Sequence, residues 1–370
     1  MKKVLYVATV DIHIKSFHLP YLKMLKDMGY EVHVATNGDE QFSNCDKKHT
    51  ICIERSPFKI KNIKAIKQLK NIIDKENFEI IHCHTPMGSV VTRFAAKEAR
   101  KNGTKVIYTA HGFHFYKGSS LINWLLFYPV EKYLSKYTDT IITINKEDYS
   151  LAKKKFKKTN VEYVPGVGID IERFNVDLTE KEKNNLKKKL NLSKNDFVLT
   201  CVARLDRNKN QSFLIDVVEN LIKEYNDIHL LLVGNDELNG LYQQMVKDKK
   251  IENNVHFLGR REDIPQILSI SNVVLSASKR EGLPVNIIEA FASGLPVVTL
   301  NCRGMDDLVE NEKNGYLIYS NNNEHFLKCI QKLYLDKRIY DKMSSNCKKS
   351  ANKFDVKNIL LMVNKIYKIK

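Results

Sequence analysis

Residues 4–36, VLYVATVDIHIKSFHLPYLKMLKDMGYEVHVAT, begin and end on short β-rich apolar runs, 4–10 and 30–36, with an amphipathic stretch between them. Further runs follow at EIIHCH (79–84), KVIYTA (105–110) and DTIITI (139–144), again separated by helical patterns. Strands alternating with helices read as βαβ units, and such units build a parallel sheet. The rhythm pauses at VEYVPGVGIDIERF (161–174), where Pro165, Gly166 and Gly168 break it, and a polar stretch rich in Lys, Glu and Asn runs on to residue 195. We read this segment as an interdomain linker. The alternation then restarts with DFVLTCVAR (196–204), IHLLLVG (228–234), VHFLG (255–259), NVVLSAS (272–278), LPVVTL (295–300) and GYLIY (315–319). The sequence thus predicts an α/β chain of two doubly wound parallel-sheet domains facing across a cleft, with its chemistry in the loops at the carboxyl ends of the strands.

Composition narrows the class. The chain of 370 residues, 43% hydrophobic and 28% charged, is long enough for two cores and ordinary for a globular protein. No apolar run approaches a membrane span, and MKKVLYVATV passes from two lysines into a strand pattern without a small-residue cleavage site, so a protein neither secreted nor integral is expected. The seven cysteines are scattered and never in Cys-x-x-Cys spacing, which points to reduced thiols, a cytoplasmic setting and no zinc ribbon. A net charge of +17, of which +11 falls in residues 1–170, suits an anionic surface or a phosphorylated ligand. A nucleic-acid-binding protein would need clustered Arg and exposed aromatics, whereas 49 of the 60 cations here are Lys and the sequence places its cations at strand ends and on a Lys-biased surface.

Three strand ends carry candidate chemistry. After DFVLTCVA come Arg204, Asp206, Arg207, Asn208 and Lys209, followed by a helical QSFLIDVVENLI. A helix N-terminus with a guanidinium fork and an ammonium beside it binds phosphate, although a solvated basic turn with Asn208 as helix cap would read the same. The second is Lys279–Ala290, KREGLPVNIIEA. There Gly282 lets backbone approach a ligand, Pro284 suits a first helical turn, and Glu281 sits in the loop with Glu289 about two turns along, eight residues apart, a spacing that at 3.6 residues per turn keeps both carboxylates within about 80° and toward the strand-end crevice. The third is Thr109–Tyr116, TAHGFHFY, in which His111 beside a glycine suits the orientation of a hydroxyl. A zinc site made of His82, His84, His111 and His114 is disfavoured, because no acidic or thiol ligands accompany them. The chain has no G-x-x-x-x-G-K-[ST], no G-x-G-x-x-G after its first strand and no Asp-x-Asp pair, so phosphate charge falls to protein groups and no metal or cofactor is expected.

Val202-Ala203-Arg204-Leu205 with Lys209-Asn210, Phe257-Leu258-Gly259, Glu281-Gly282-Leu283-Pro284 with Glu289-Ala290, Ala292–Val298 and Asn314–Leu317 together resemble glycosyltransferase family 4, retaining enzymes of the GT-B fold. HCHTPMGSVVTRFAA (82–96) and YTAHGFHFYKG (108–118) are similar to its capsule and exopolysaccharide branch. The resemblance implies an acceptor-binding domain at 1–165, a nucleotide-sugar domain at 166–354 and a C-terminal helix, 355–370, that returns to the first. It implies that Arg204 and Lys209 hold the donor diphosphate, Glu281 the transferred sugar, Gly282 and Leu283 the phosphate and sugar through their amides, Glu289 the ribose, and Gly259 and Arg260 the base. His111 would orient donor sugar and acceptor. Many relatives have a glycine-rich loop after the first strand, whereas Thr9–His18 has no glycine. Ser16 and His18 from that loop, with His84, are therefore assigned to the acceptor side.

The implied reaction moves a hexosyl or N-acetylhexosaminyl group from a UDP-sugar to a polyprenyl-diphosphate-linked saccharide at the inner leaflet. A sugar-nucleotide epimerase of the same architecture is the alternative enzyme. Residues 59–70, KIKNIKAIKQLK, set apolar positions 60, 63, 66 and 69 beside lysines 61, 64, 67 and 70, a pattern for docking on an anionic membrane surface. LINWLLFY (121–128) is expected in the core.

Overall fold

The computed structural model describes residues 1–320 and 322–368; the last two residues of the anticipated C-terminal helix, 369 and 370, lie outside them. The chain forms two compact units, Met1–Gly168 with the segment from Val356 onward, and Ile169–Asp355. The first holds seven strands, β1 (Lys3–Val10), β2 (Glu31–Asn37), β3 (Lys47–Thr50), β4 (Ile80–His84), β5 (Lys105–Ala110), β6 (Thr140–Thr143) and β7 (Asn160–Tyr163). They pair in parallel in the order β3-β2-β1-β4-β5-β6-β7. The second holds six, β8 (Phe197–Val202), β9 (Ile228–Val233), β10 (Val255–Gly259), β11 (Val273–Ser276), β12 (Val297–Leu300) and β13 (Gly315–Ile318), parallel in the order β10-β9-β8-β11-β12-β13. Winding reverses between β1 and β4 in one sheet and between β8 and β11 in the other, and such points open a crevice beyond the strand ends.

Apolar strand interiors account for both sheets. Val4–Ala8 and Ile80–Cys83 are buried, as are Leu199, Leu230, Leu232, Val273 and Val298. The helix Val356–Lys368 lays Ile359, Val363, Ile366 and Tyr367 on the first core, where the Tyr367 hydroxyl meets those of Tyr6 and the His82 ring, each at 2.6 Å.

Several sequence expectations need correction. The supposed loop Thr9–His18 is largely helical, Asp11–Phe17, because the Asp11 carboxylate at its start accepts from Thr36 Oγ1 and from the Glu40 amide. The expected linker is structured: Asn160–Tyr163 is the edge strand β7, and Glu180–Lys189 is a helix whose Thr179 and Glu182 form a reciprocal capping box. A helix whose one apolar residue is Leu186 shows no apolar periodicity, so its caps were its only mark. In LINWLLFY, Trp124, Phe127 and Tyr128 reach the core while Leu121 and Leu125 are 81% and 75% exposed. The stripe at 60, 63, 66 and 69 also divides. Three-residue steps drift by about 60° each on a helix, so Leu69 and Ile66 pack inward with Ala65 and Ile73, whereas Ile60 and Ile63 stay exposed beside Lys61 and Lys64.

Candidate active site

The crevice beyond β8 and β11 gathers Arg204, Lys209, Glu281 and the Gly282–Leu283 backbone. Asp206 shapes the first loop by accepting from the amides of Asn208 (2.9 Å) and Lys209 (2.8 Å), and Asn210 then turns through left-handed φ into the helix Gln211–Leu221. Asn208 does not cap that helix. Its amide group donates to the Arg280 carbonyl at 3.0 Å, and its own carbonyl accepts from the Lys279 amide at 2.8 Å, which ties the loop after β8 to the loop after β11. Lys209 Nζ thereby meets Glu281 Oε1 at 2.6 Å in a largely buried ion pair. Buried Gln211 donates to the Arg204 carbonyl at 2.8 Å, leaving the Arg204 side chain 59% exposed against Glu237 at 2.8 Å and Asp206 at 3.2 Å.

Glu281 is not on a helix. It sits in the loop, as the sequence suggested, and because the helix begins only at Val285, with Pro284 as its N-cap, the helical angle of about 80° between Glu281 and Glu289 does not apply. Glu281 is placed instead by Lys209 and by Arg303, whose Nε donates to its carbonyl at 3.0 Å. Gly304, at φ +82°, lets the loop after β12 close on Gly282: a side chain there would collide with the Gly282 carbonyl. Arg303, Gly304 and Glu237 were missed by sequence reasoning, since each acts through a neighbouring loop rather than a spaced motif. Glu289 is on the helix, and burial raises its carboxyl to about 7 against the opposing pull of Arg173. Gly259 ends β10 in left-handed φ and accepts from the Gly234 amide at 2.9 Å, and Arg260 beside it is exposed.

In the first unit the reversal between β1 and β4 brings histidines together. His13 Nε2 lies 3.2 Å from His18 Nε2 and 3.3 Å from His111 Nε2, and His111 Nε2 lies 3.3 Å from His84 Nδ1. His18 and His84, assigned above to acceptor contact, are each 1% exposed and present no surface to an acceptor; Ser16 is exposed and lines a small cavity with His13, Arg55 and Thr85. The grouping differs from the one weighed in sequence. His82 spends its ring on Tyr367 and Thr109, and His114 stacks on Phe127, while His13 joins only because Asp11–Phe17 is helical. Burial is the main force lowering His13 to about 4 and holding His18, His84 and His111 well below the ordinary imidazole value.

Two doubly wound sheets, one of them gathering cations, a paired carboxylate and free backbone at its reversal point, define a class of nucleotide-sugar-dependent transferases. The chain belongs to that class by descent as well: residues 182–354 match the family described as glycosyl transferases group 1 and residues 3–145 the glycosyl transferase 4-like family, so it is a family 4 glycosyltransferase. It is 40% identical over 354 residues to EpsD of Bacillus subtilis (strain 168), named as a glycosyltransferase, covering 95% of this chain and 93% of the relative. It is 32% identical over 324 residues to the UDP-Gal:alpha-D-GlcNAc-diphosphoundecaprenol alpha-1,3-galactosyltransferase of Escherichia coli, covering 86% and 81%. Among solved structures, Anabaena Alr3699/HepE in complex with UDP and glucose superposes with a TM-score of 0.79 over 99% of each chain at 21% identity, a likeness of fold. Membership sets aside both the epimerase and the nucleic-acid-binding readings.

Proposed function

We propose that this enzyme transfers a hexosyl or N-acetylhexosaminyl group from a UDP-sugar to a polyprenyl-diphosphate-linked saccharide, with retention at the anomeric carbon, for a bacterial surface polysaccharide or related glycan. The observation that carries the donor side is the Lys209–Glu281 pair held beneath Arg204 and beside the Gly282–Leu283 backbone. A diphosphate replaces Glu237 and Asp206 as partner of Arg204 and draws Lys209 toward its own charge, freeing Glu281 to accept from sugar hydroxyls. Glu289 takes the ribose hydroxyls, the amides of Gly282 and Leu283 the phosphate and sugar, and Gly259 with Arg260 the base. The acceptor hydroxyl attacks the anomeric carbon on the face from which UDP leaves. A phosphate oxygen of the departing UDP takes the hydroxyl proton, and Arg204 and Lys209 stabilise the charge that develops there. His111 orients sugar and acceptor, and Ser16 contacts the acceptor.

The acceptor class rests on the Escherichia coli relative, whose substrate is diphosphoundecaprenol-linked, and on a surface of the first unit. Phe58 and Ile60, each more than 80% exposed, alternate along the chain with Lys59 and Lys61, and Leu121, Ile122 and Leu125 are exposed on the helix Leu121–Leu134. Phe58 and Leu126 border one apolar cavity of about 700 Å³ that continues inward to Phe113 and Phe115. This surface lies on the anionic inner leaflet, and the cavity takes part of the isoprenoid chain. Among the described residues no helix is long and apolar enough to cross a membrane, so attachment is peripheral in this reading. Calorimetric titration with UDP tests the donor side: binding to the parent protein that is lost in Lys209→Ala supports it, and equal affinity in both sinks it.

A further inference from the structure

The four imidazoles at the carboxyl ends of β1, β4 and β5 do more than pack. One ring nitrogen from each of His13, His18, His84 and His111 lies within 4.8 Å of one from every other. We propose that these four nitrogens form a tetrahedral site for a divalent transition-metal ion of the zinc class, an assignment that stands on the cluster alone; with the ion bound, Nε2 of His111 is a ligand, and the sugar-orienting role proposed above belongs to the metal-free protein.

Hydrogen bonding among the rings does not account for the arrangement. An imidazole nitrogen offers one in-plane site, either a proton or a lone pair. His13 Nε2 faces both His18 and His111, and His111 Nε2 faces both His13 and His84. At most two of these three contacts can then be well-formed hydrogen bonds, and the third has neither a proton nor a lone pair left to direct along it. A cation between the nitrogens removes the conflict, because all four turn lone pairs to it.

Three of the six nitrogen–nitrogen spacings already match a tetrahedron, and the other three lie within 4.8 Å. Zinc–nitrogen bonds of about 2.0–2.1 Å in a tetrahedron set neighbouring ligand nitrogens about 3.3–3.4 Å apart, and the three close contacts measure 3.2, 3.3 and 3.3 Å. An imidazole of ordinary basicity is already mostly neutral near pH 7, as a ligand must be. An all-imidazole set favours zinc, cobalt, nickel or copper over magnesium or calcium, which take oxygen. His13 and His111 keep partial exposure, so an ion has a way in. The other grouping of metal-binding residue types, His33, His49 and Glu76, is already committed: His33 bonds Glu31 at 2.8 Å, and the Glu76 carboxylate is shared between Lys3 and Lys47.

The test uses full-length protein without a histidine tag, stripped with a chelator and titrated with cobalt(II). The expected result is one equivalent bound with the visible d–d bands of tetrahedral cobalt, displaced by zinc, absent in His13→Ala and retained in His49→Ala. X-ray absorption at the zinc edge of the unmutated protein, which depends on no variant folding, should give a shell of four nitrogens. The proposal is overturned by the absence of tetrahedral bands, by bands lost in His49→Ala but kept in His13→Ala, or by an oxygen-rich zinc shell. Binding of pyrophosphate at the stripped cluster with no cobalt uptake would likewise overturn it and assign the cluster to an anion.

Discussion

Lys209 and Glu281 hold opposite charges 2.6 Å apart in the site proposed to receive a diphosphate and a sugar. Removing either partner leaves the other buried without compensation and also removes a contact made to the reacting group. Lys209→Ala and Glu281→Ala should each lower kcat/KM by about 100-fold or more while leaving the circular dichroism spectrum intact; near-normal turnover in either would refute the assigned roles. Glu289 gives a pH signature. Its carboxyl is raised from 4.5 to about 7, so between these values the native state holds a proton that the unfolded chain has released. Stability contributed by that proton is full below the lower value and is lost as pH rises through the upper one. The Tm of the ligand-free protein should therefore fall from pH 5 to pH 7 more steeply than that of Glu289→Gln, a comparison in which parallel curves would count against the burial. Arg204, Lys209, Glu281 and Glu289 were legible because each sits at fixed spacing from a strand end. His13 was not: its place beside His111 depends on a helix started by contacts from Asp11 to Thr36 and Glu40, residues 25 and 29 positions away.

Elements were legible where burial imposed a period and obscure where it did not. β3, KKHT, is a polar edge strand known only from its pairing with β2, and charged edge strands of this kind resist intermolecular pairing. The helix Leu121–Leu134 was read as core from its apolar character, yet its hydrophobic residues are split between core and surface. What fixes it is a buried bidentate pair, Arg93 with Glu131 at 2.8 and 3.1 Å, and the guanidinium also lies 4.3 Å from the centre of the Tyr108 ring. Arg93→Ala should cost about 3–5 kcal/mol in denaturant unfolding, and a loss under 1 kcal/mol would show that the pair is not what anchors the helix. In the proposed function the outer face of the same helix belongs to membrane attachment. Leu121→Ser combined with Leu125→Ser should abolish sedimentation with anionic vesicles without lowering Tm. Lys61→Gln with Lys64→Gln should weaken it by about 2 kcal/mol, near 1 kcal/mol per charge, in a salt-dependent manner. Unchanged sedimentation of the leucine variant would remove this face from the account.

At the scale of the whole molecule, each sheet reverses its winding once beside its first strand, and each reversal carries a chemically distinct set: cations, a carboxylate and open backbone beyond β8 and β11, imidazoles beyond β1 and β4. The two-sheet architecture was readable because parallel strands are buried and apolar; the identity of the sugar was not, because hydroxyl epimers are told apart by pocket shape rather than by residue type. The decisive measurement is incubation of the purified enzyme with a panel of UDP- and GDP-sugars, with and without a short polyprenyl-diphosphate saccharide, reading nucleotide release and the mass and anomeric configuration of the product. The account predicts UDP release that depends on acceptor, with a gain of one sugar in the donor's own configuration. Acceptor-dependent transfer from a GDP-sugar alone, or a product of inverted configuration, would contradict it.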